Sequence, residues 1–333
     1  MGWLVVNLVW RGVLPLALFG LAATLAAADD AAVPLVWLGE WPNTDFGTHA
    51  VDLAEIRSGG PRKDGIPAID QPQFKPVGEI GDIAATEPVI SLALGGEARA
   101  YPLRVLTWHE IANDTVAGVP VAVTYCPLCN AAIVFDRRLG RRVLDFGTTG
   151  KLRNSDLVMY DRQTESWWQQ YSGTAIVGEM TGAKLAMIPA RVESFRRFTA
   201  RHPDGRVLVP SDPSARPYGA NPYAGYDGAG VPFLYDGSYP DGIAPMAYVV
   251  VVGDEAWTLD LMRQRGRIES GDLILVWEAG QSSALDAATI AEGRDIGNVI
   301  VQRRVGGELA EAVHHVTFAF VFHAFQPDGV IHR

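Results

Sequence analysis

The chain is poor in cysteine and lacks any concentrated positive charge, and each scarcity narrows what it can do. Only two cysteines occur in 333 residues, so no second pair exists to complete a tetrathiolate zinc knuckle. A metal bound by these two needs His, Met or carboxylate partners from elsewhere in the chain. Lys and Arg total 28 against 38 Asp and Glu, a net charge of −10, and the cations are scattered. That balance argues against a nucleic-acid partner, which requires a concentrated basic face. There is no G-x-S-x-G elbow, no phosphate-binding Gly loop, no dinucleotide fingerprint and no H-E-x-x-H. Beyond residue 28 no apolar run is long enough to span a bilayer.

What is present begins with a leader. Residues 1–10 are apolar, Arg11 is the only charge, and Gly12 to Ala28 is Ala/Leu-rich, ending in Ala26-Ala27-Ala28 before Asp29-Asp30. That small-residue ending suits signal peptidase, while Pro15 weakens a stable spanning helix. We read residues 1–28 as a signal peptide, with an uncleaved N-terminal anchor as the alternative. The expected location is therefore periplasmic or extracellular, free or tethered to the membrane through the N-terminus. In such a compartment a dithiol can be held oxidised. With 48% hydrophobic residues the remainder has a globular composition.

Residues 29–80 are dense in turn formers such as Ser58-Gly59-Gly60-Pro61, which predicts an irregular N-terminal segment. Val89 to Leu94 and Glu97 to Leu103 predict a hairpin about Gly95-Gly96, and Arg104 to Asn113 a short helix. Val119 to Tyr125 and Ala131 to Arg137 predict two buried strands joined through Cys126 to Asn130. Three segments of a first half, 81–209, have counterparts in the same order in a second half, 247–333. Val89–Leu103 resembles Val249–Leu261, Val121–Tyr125 resembles Leu273–Trp277, and Phe198–Gly205 resembles Phe322–Gly329. A Pro/Gly/Tyr-rich connection, 210–246, separates the halves, and its tyrosines suggest a segment packed across the surface and rimming a cleft. The expected fold class is α+β, mainly antiparallel β-structure, with two weakly similar halves from an internal duplication around one core. The second half lacks the cysteines, so function is expected in the first.

The chemistry centres on Tyr125-Cys126-Pro127-Leu128-Cys129-Asn130. A Cys-x-x-Cys pair is a redox dithiol, a short-loop disulfide or half a metal site. Asn130, not His, follows the second cysteine, so covalent c-type haem attachment is unsupported. A thioredoxin-like dithiol opens a helix whose dipole lowers the thiolate pKa, whereas Ala131 onward reads as a strand. His109, in Trp108-His109-Glu110, is the candidate third ligand, giving an S₂N set suited to copper or zinc with one position open. A second cluster runs from Lys151 to Gln170. In it Arg153 and Arg162 offer anion contacts, and Asp161 or Glu165 proton transfer. The same residues also read as a turn network with Trp167 and Trp168 anchored in the core.

Three functions remain open on these residues. One is a site at Cys126 and Cys129 that binds copper or zinc, or carries out thiol–disulfide chemistry on an exported thiol protein. Another is a non-catalytic binding or scaffold module with a structural disulfide. The third is an enzyme acting on a small molecule through Arg153, Asp161 and Glu165. Membrane contact is expected only through the N-terminal anchor.

Six long strings stand out: Asp64–Asp70, Ala98–Leu103, Thr107–Asp114, Thr124–Asn130 with its Cys-Pro-Leu-Cys, Gly150–Asp161 and Arg162–Gln169. Together they resemble one family, domain of unknown function 3179. The resemblance covers most of residues 40–330 and shows no departure in the cysteine stretch. It implies membership and, since the family name carries no activity, no mechanism.

Overall fold

The structure, a computed structural model, describes residues 1–2 and 33–333. The leader, apart from its first two residues, lies outside the described residues. Residues 33–333 form five main sheets of four or five strands each, mostly antiparallel and arranged as a five-bladed β-propeller. No described helix is long and apolar enough to cross a membrane.

Two blades provide a frame. In the first, the spatial order is Arg191–Ser194, Pro88–Leu94, Glu97–Pro102, Arg206–Val209 and Gln73–Pro76, with Arg206–Val209 parallel to Glu97–Pro102. In the second it is His315–Phe318, Tyr248–Val252, Glu255–Thr258 and Val330–His332, again with the fourth strand parallel to the third. Helices of seven residues follow matching strands in both: Leu103–His109 and Phe195–Arg201 in one, Leu259–Arg265 and Ala319–Phe325 in the other. Runs such as Val249-Val250-Val251-Val252 are buried throughout, as expected for β-branched strands covered on both faces.

Two further blades also share a strand order. The cysteine blade is Ile111–Val116, Val119–Cys126, Ala131–Asp136 and Met187–Ile188. Its counterpart is Arg267–Ser270, Leu273–Glu278, Asn298–Val305 and Glu308–Glu311. The fifth blade, Ile56–Ser58, Phe146–Arg153, Asp156–Asp161, Trp167–Gln169 and Thr174–Val177, has no partner of this kind. Its last four strands lie in sequence between the third and fourth strands of the cysteine blade, so we call it the inserted blade.

The inserted blade is fixed to the cysteine blade by buried amides. Asn113 accepts from Phe146 N (2.9 Å) and donates to Phe146 O (2.8 Å), matching that residue as a second strand would. Gln170 Nε2 donates to Thr124 Oγ1 (2.8 Å) and to Ala131 O (3.2 Å), at the far end of the same blade. The bonds made by the Asn113 amide and by Gln170 Nε2 specify one docking position, because a slip leaves these groups unpaired.

The N-terminal segment contains more regular structure than its turn-rich sequence predicts. Ile56–Ser58 and Gln73–Pro76 become edge strands of two blades. Trp37, Trp41 and Phe46 pack edge-on around Trp167, with ring centroids 5.0–5.3 Å apart, which anchors the segment on the inserted blade. Gly150 marks another close approach. Its φ is +68°, and a Cβ there would run into the Pro61 carbonyl. The predicted helix over 104–113 is also shorter than expected. It ends at His109 because Glu110 takes a left-handed φ of 59° and residues 111–116 are recruited as a strand against Val119–Cys126.

Candidate metal centre

Strand Val119–Cys126 delivers Cys126 opposite Ala131, leaving Pro127 to Asn130 as the connection. Cys129 N donates to Cys126 O (3.3 Å) and Asn130 N to Pro127 O (3.1 Å), and Asn130 closes the turn with φ 51°. Asn tolerates that left-handed conformation better than most residues. The turn is braced from outside. Tyr226 Oη donates to Leu128 O (3.1 Å), and Thr317 Oγ1 donates to Cys129 O (2.7 Å). The connection and the second half thus hold the turn that the first half supplies.

Facing the cysteines is the tip of the hairpin formed by Phe146–Arg153 and Asp156–Asp161. Asn154 and Ser155 both have positive φ (52° and 64°), the signature of a two-residue type I′ turn. The Ser155 carbonyl lies 3.4 Å from Cys129 Sγ and 3.8 Å from Cys126 Sγ. Asp156 follows, fully buried. Its Oδ2 accepts from Gln169 Nε2 (2.6 Å) and Tyr171 N (2.9 Å), but its Oδ1 has no well-aligned donor, and the Cys129 thiol and Leu157 N make only weaker contacts with the carboxylate. Cys126, Cys129 and Asp156 each bring one ligand-type atom within 4.8 Å of the others.

Burial dominates the electrostatics. It pushes the Cys126 thiol up and the Cys129 thiol well up, the latter also raised by Cys126. Burial raises Asp156 to about 6, against the lowering effect of its bonds from Gln169 and Tyr171. Both cysteines are free thiols. Glu110 is buried nearby and raised to about 8, by burial first and then by the charge of Asp156. Its carbonyl accepts from Tyr125 N (2.8 Å), which ties it to the cysteine strand. A cavity of about 480 Å³ adjoins this cluster, with Glu110, Leu128, Leu157, Tyr223 and Tyr226 in its wall.

The other residues expected at the site are dispersed. His109 Nδ1 bonds to Pro67 O (2.7 Å), which only accepts, so this nitrogen carries the proton and Nε2 accepts from Tyr218 Oη (2.8 Å). The acid grouped with the thiols is Asp156, not His109. Arg153 pairs with Glu55 (2.6 Å), and Glu165 with Lys63 (2.6 Å). Asp161 accepts from Thr164 N (2.7 Å), Thr164 Oγ1 (2.9 Å) and Trp168 Nε1 (2.9 Å). Arg153 lies opposite Asp156 and Asp161 opposite Phe146, at the two ends of one hairpin. At 3.3–3.4 Å per residue that separates their backbones by about 17 Å. Arg153 and Asp161 therefore do not converge on one atom. Arg162 pairs with Asp70 (2.6 Å).

Asp156 and Glu110 are the residues that sequence reasoning missed. Asn154-Ser155-Asp156 between two strand-like runs marks a hairpin tip, but nothing local says that this tip meets the cysteines. A family model described as a protein of unknown function, DUF3179, matches residues 63–329. No curated protein and no solved structure matches the chain.

Proposed function

The chain belongs to the DUF3179 family, whose description assigns no activity, and we propose that this member binds a metal ion, zinc before copper, at Cys126, Cys129 and Asp156. The observation that carries the reading is Asp156, a buried carboxylate whose Oδ1 has no well-aligned donor and one of whose oxygens lies within 4.8 Å of both thiol sulfurs. An acid left in that state is costly to bury, and a cation bound there offsets the cost. Thiolates alone suit copper(I). Adding a carboxylate, with the Ser155 carbonyl beside the sulfurs, shifts the donor set toward zinc. Binding would ionise thiols that are neutral without metal, so metal uptake would release protons.

Thiol–disulfide exchange has less support. It needs an accessible thiolate, and these thiols are buried with raised pKa values. Gln169, Tyr171, Tyr226 and Thr317 would act as positioning residues around the metal. We also infer that the halves arose by duplication, a reading supported by the shared strand orders and four matching helices. Export remains a proposal from the leader alone.

The test is elemental analysis of the protein purified without chelator. The expected result is about one zinc per chain, lost on joint Cys126→Ser and Cys129→Ser substitution. No metal, or metal retained by that variant, would reject the site.

A further inference from the structure

The cavity beside the cysteine turn has two unlike walls. Its inner wall includes Glu110, Leu128 and Leu157, the latter two being chain neighbours of the proposed ligands. Its outer wall comes from the Tyr-rich connection, through Tyr223, Tyr226 and Phe233. Most polar groups that reach it are already engaged. Tyr226 Oη donates to Leu128 O and accepts from Phe233 N (3.2 Å), and Lys151 Nζ pairs with Glu40 (3.1 Å). Two polar side chains in this wall, the Glu110 carboxyl and the Tyr223 hydroxyl, have no hydrogen-bond partner among the described residues. They line the same cavity, and burial first, then the charge of Glu110, raises the Tyr223 pKa.

An apolar pocket with a few convergent polar groups is the usual form of a small-molecule site. Here the sign of charge selects the ligand. Asp156 and the two thiols lie behind the wall as actual or latent negative charge, and the nearby cation Lys151 is paired. An anionic head would be set against the Glu110 carboxyl with Asp156 behind it, whereas an ammonium head supplies the donor and the positive charge that this carboxyl lacks among the described residues. We propose that this cavity binds an organic amine, its ammonium head against Glu110 and Tyr223 and its apolar body along Leu128, Leu157 and Phe233. Tyrosine rings add cation–π attraction to such a head. The contacts are made by residues outside the proposed ligand set, so amine binding and metal content are read separately.

Three probes of one shape and different charge test this: benzylamine, benzyl alcohol and benzoate, titrated calorimetrically into the full chain. Benzylamine should bind, benzyl alcohol at least tenfold more weakly, and benzoate not at all. Glu110→Gln keeps the shape and should bring benzylamine down to the level of benzyl alcohol while leaving metal content unchanged. Tyr223→Phe should weaken benzylamine by roughly tenfold, the scale of one hydrogen bond to a charged group. No binding of benzylamine at millimolar concentration, equal affinity for all three probes, or a preference that survives Glu110→Gln would overturn the proposal. If Glu110→Gln fails to fold, the probe series on the unaltered protein still decides it.

Discussion

The cysteine blade and its counterpart in the second half have the same strand order but opposite treatment of their connections. Between its second and third strands the cysteine blade has only the tight turn Pro127 to Asn130, whereas the counterpart has the long loop 279–297. Between the third and fourth strands the difference reverses. The counterpart turns sharply at Gly306-Gly307, and the cysteine blade accepts an entire inserted blade. A tight turn alone presents two thiols. It becomes a candidate ligand set only because the inserted hairpin carries Ser155 and Asp156 to it. Among the described residues the second half contributes bracing through Thr317 but no member of the candidate set. The difference teaches that the site belongs to a contact between blades and not to a motif.

The comparison is broken most strongly by removing the thiols, since joint Cys126→Ser and Cys129→Ser should abolish metal binding while the counterpart blade is untouched. Circular dichroism beside elemental analysis separates this from unfolding. A core change in the counterpart should do the reverse. Leu275, fully buried in the second half, corresponds to Val123 in the cysteine blade. Leu275→Ala should cost about 2–5 kcal/mol of stability by denaturant titration and leave metal content at one per chain. Asp156→Asn should weaken metal binding by at least roughly 10–100-fold in a competition titration, since residues that merely orient ligands are worth that much. Unchanged affinity would remove the inserted blade from the site.

A smaller effect distinguishes the halves by pH. In the metal-free protein Glu110 is raised from 4.5 to about 8 and Asp156 from 3.8 to about 6, both by burial first. An acid with a raised folded pKa favours the fold while protonated. Its contribution is greatest below the ordinary pKa and is lost as pH rises through the raised one. His315, in the second half, is lowered from 6.5 to about 3 by burial and then by His314. Its contribution is present above 6.5 and is lost as pH falls toward 3. The urea midpoint of metal-free protein should therefore drop between pH 5 and 8, and Glu110→Gln should flatten that drop. An unchanged drop in the variant would count against a buried, unpaired Glu110.

The local elements were legible because their causes are local. Gly95-Gly96 between apolar runs gives the hairpin Pro88–Leu94 and Glu97–Pro102, and β-branched content gives Val119–Cys126. Mainly antiparallel sheet structure was also legible, whereas five-blade closure was not. It depends on pairings far apart in sequence, such as Ile56↔Arg153 and Val207↔Ala100. At the site, Cys126 and Cys129 stood out by spacing, but sequence proximity misled elsewhere. His109 lies near the cysteine strand in sequence and is engaged by Pro67 and Tyr218. Arg153, Asp161 and Glu165 are close along the chain, yet a strand separates side chains that a helix would gather. Asp156 was hidden for the converse reason, since its meeting with the thiols is a tertiary contact between blades.

X-ray absorption at the metal edge of the zinc-loaded protein tests the central claim most directly. The account predicts two sulfur scatterers at about 2.3 Å with the remaining shell made of oxygen at about 2.0–2.2 Å, and loss of oxygen intensity in Asp156→Asn. A first shell without sulfur, or one indifferent to Asp156, would contradict it.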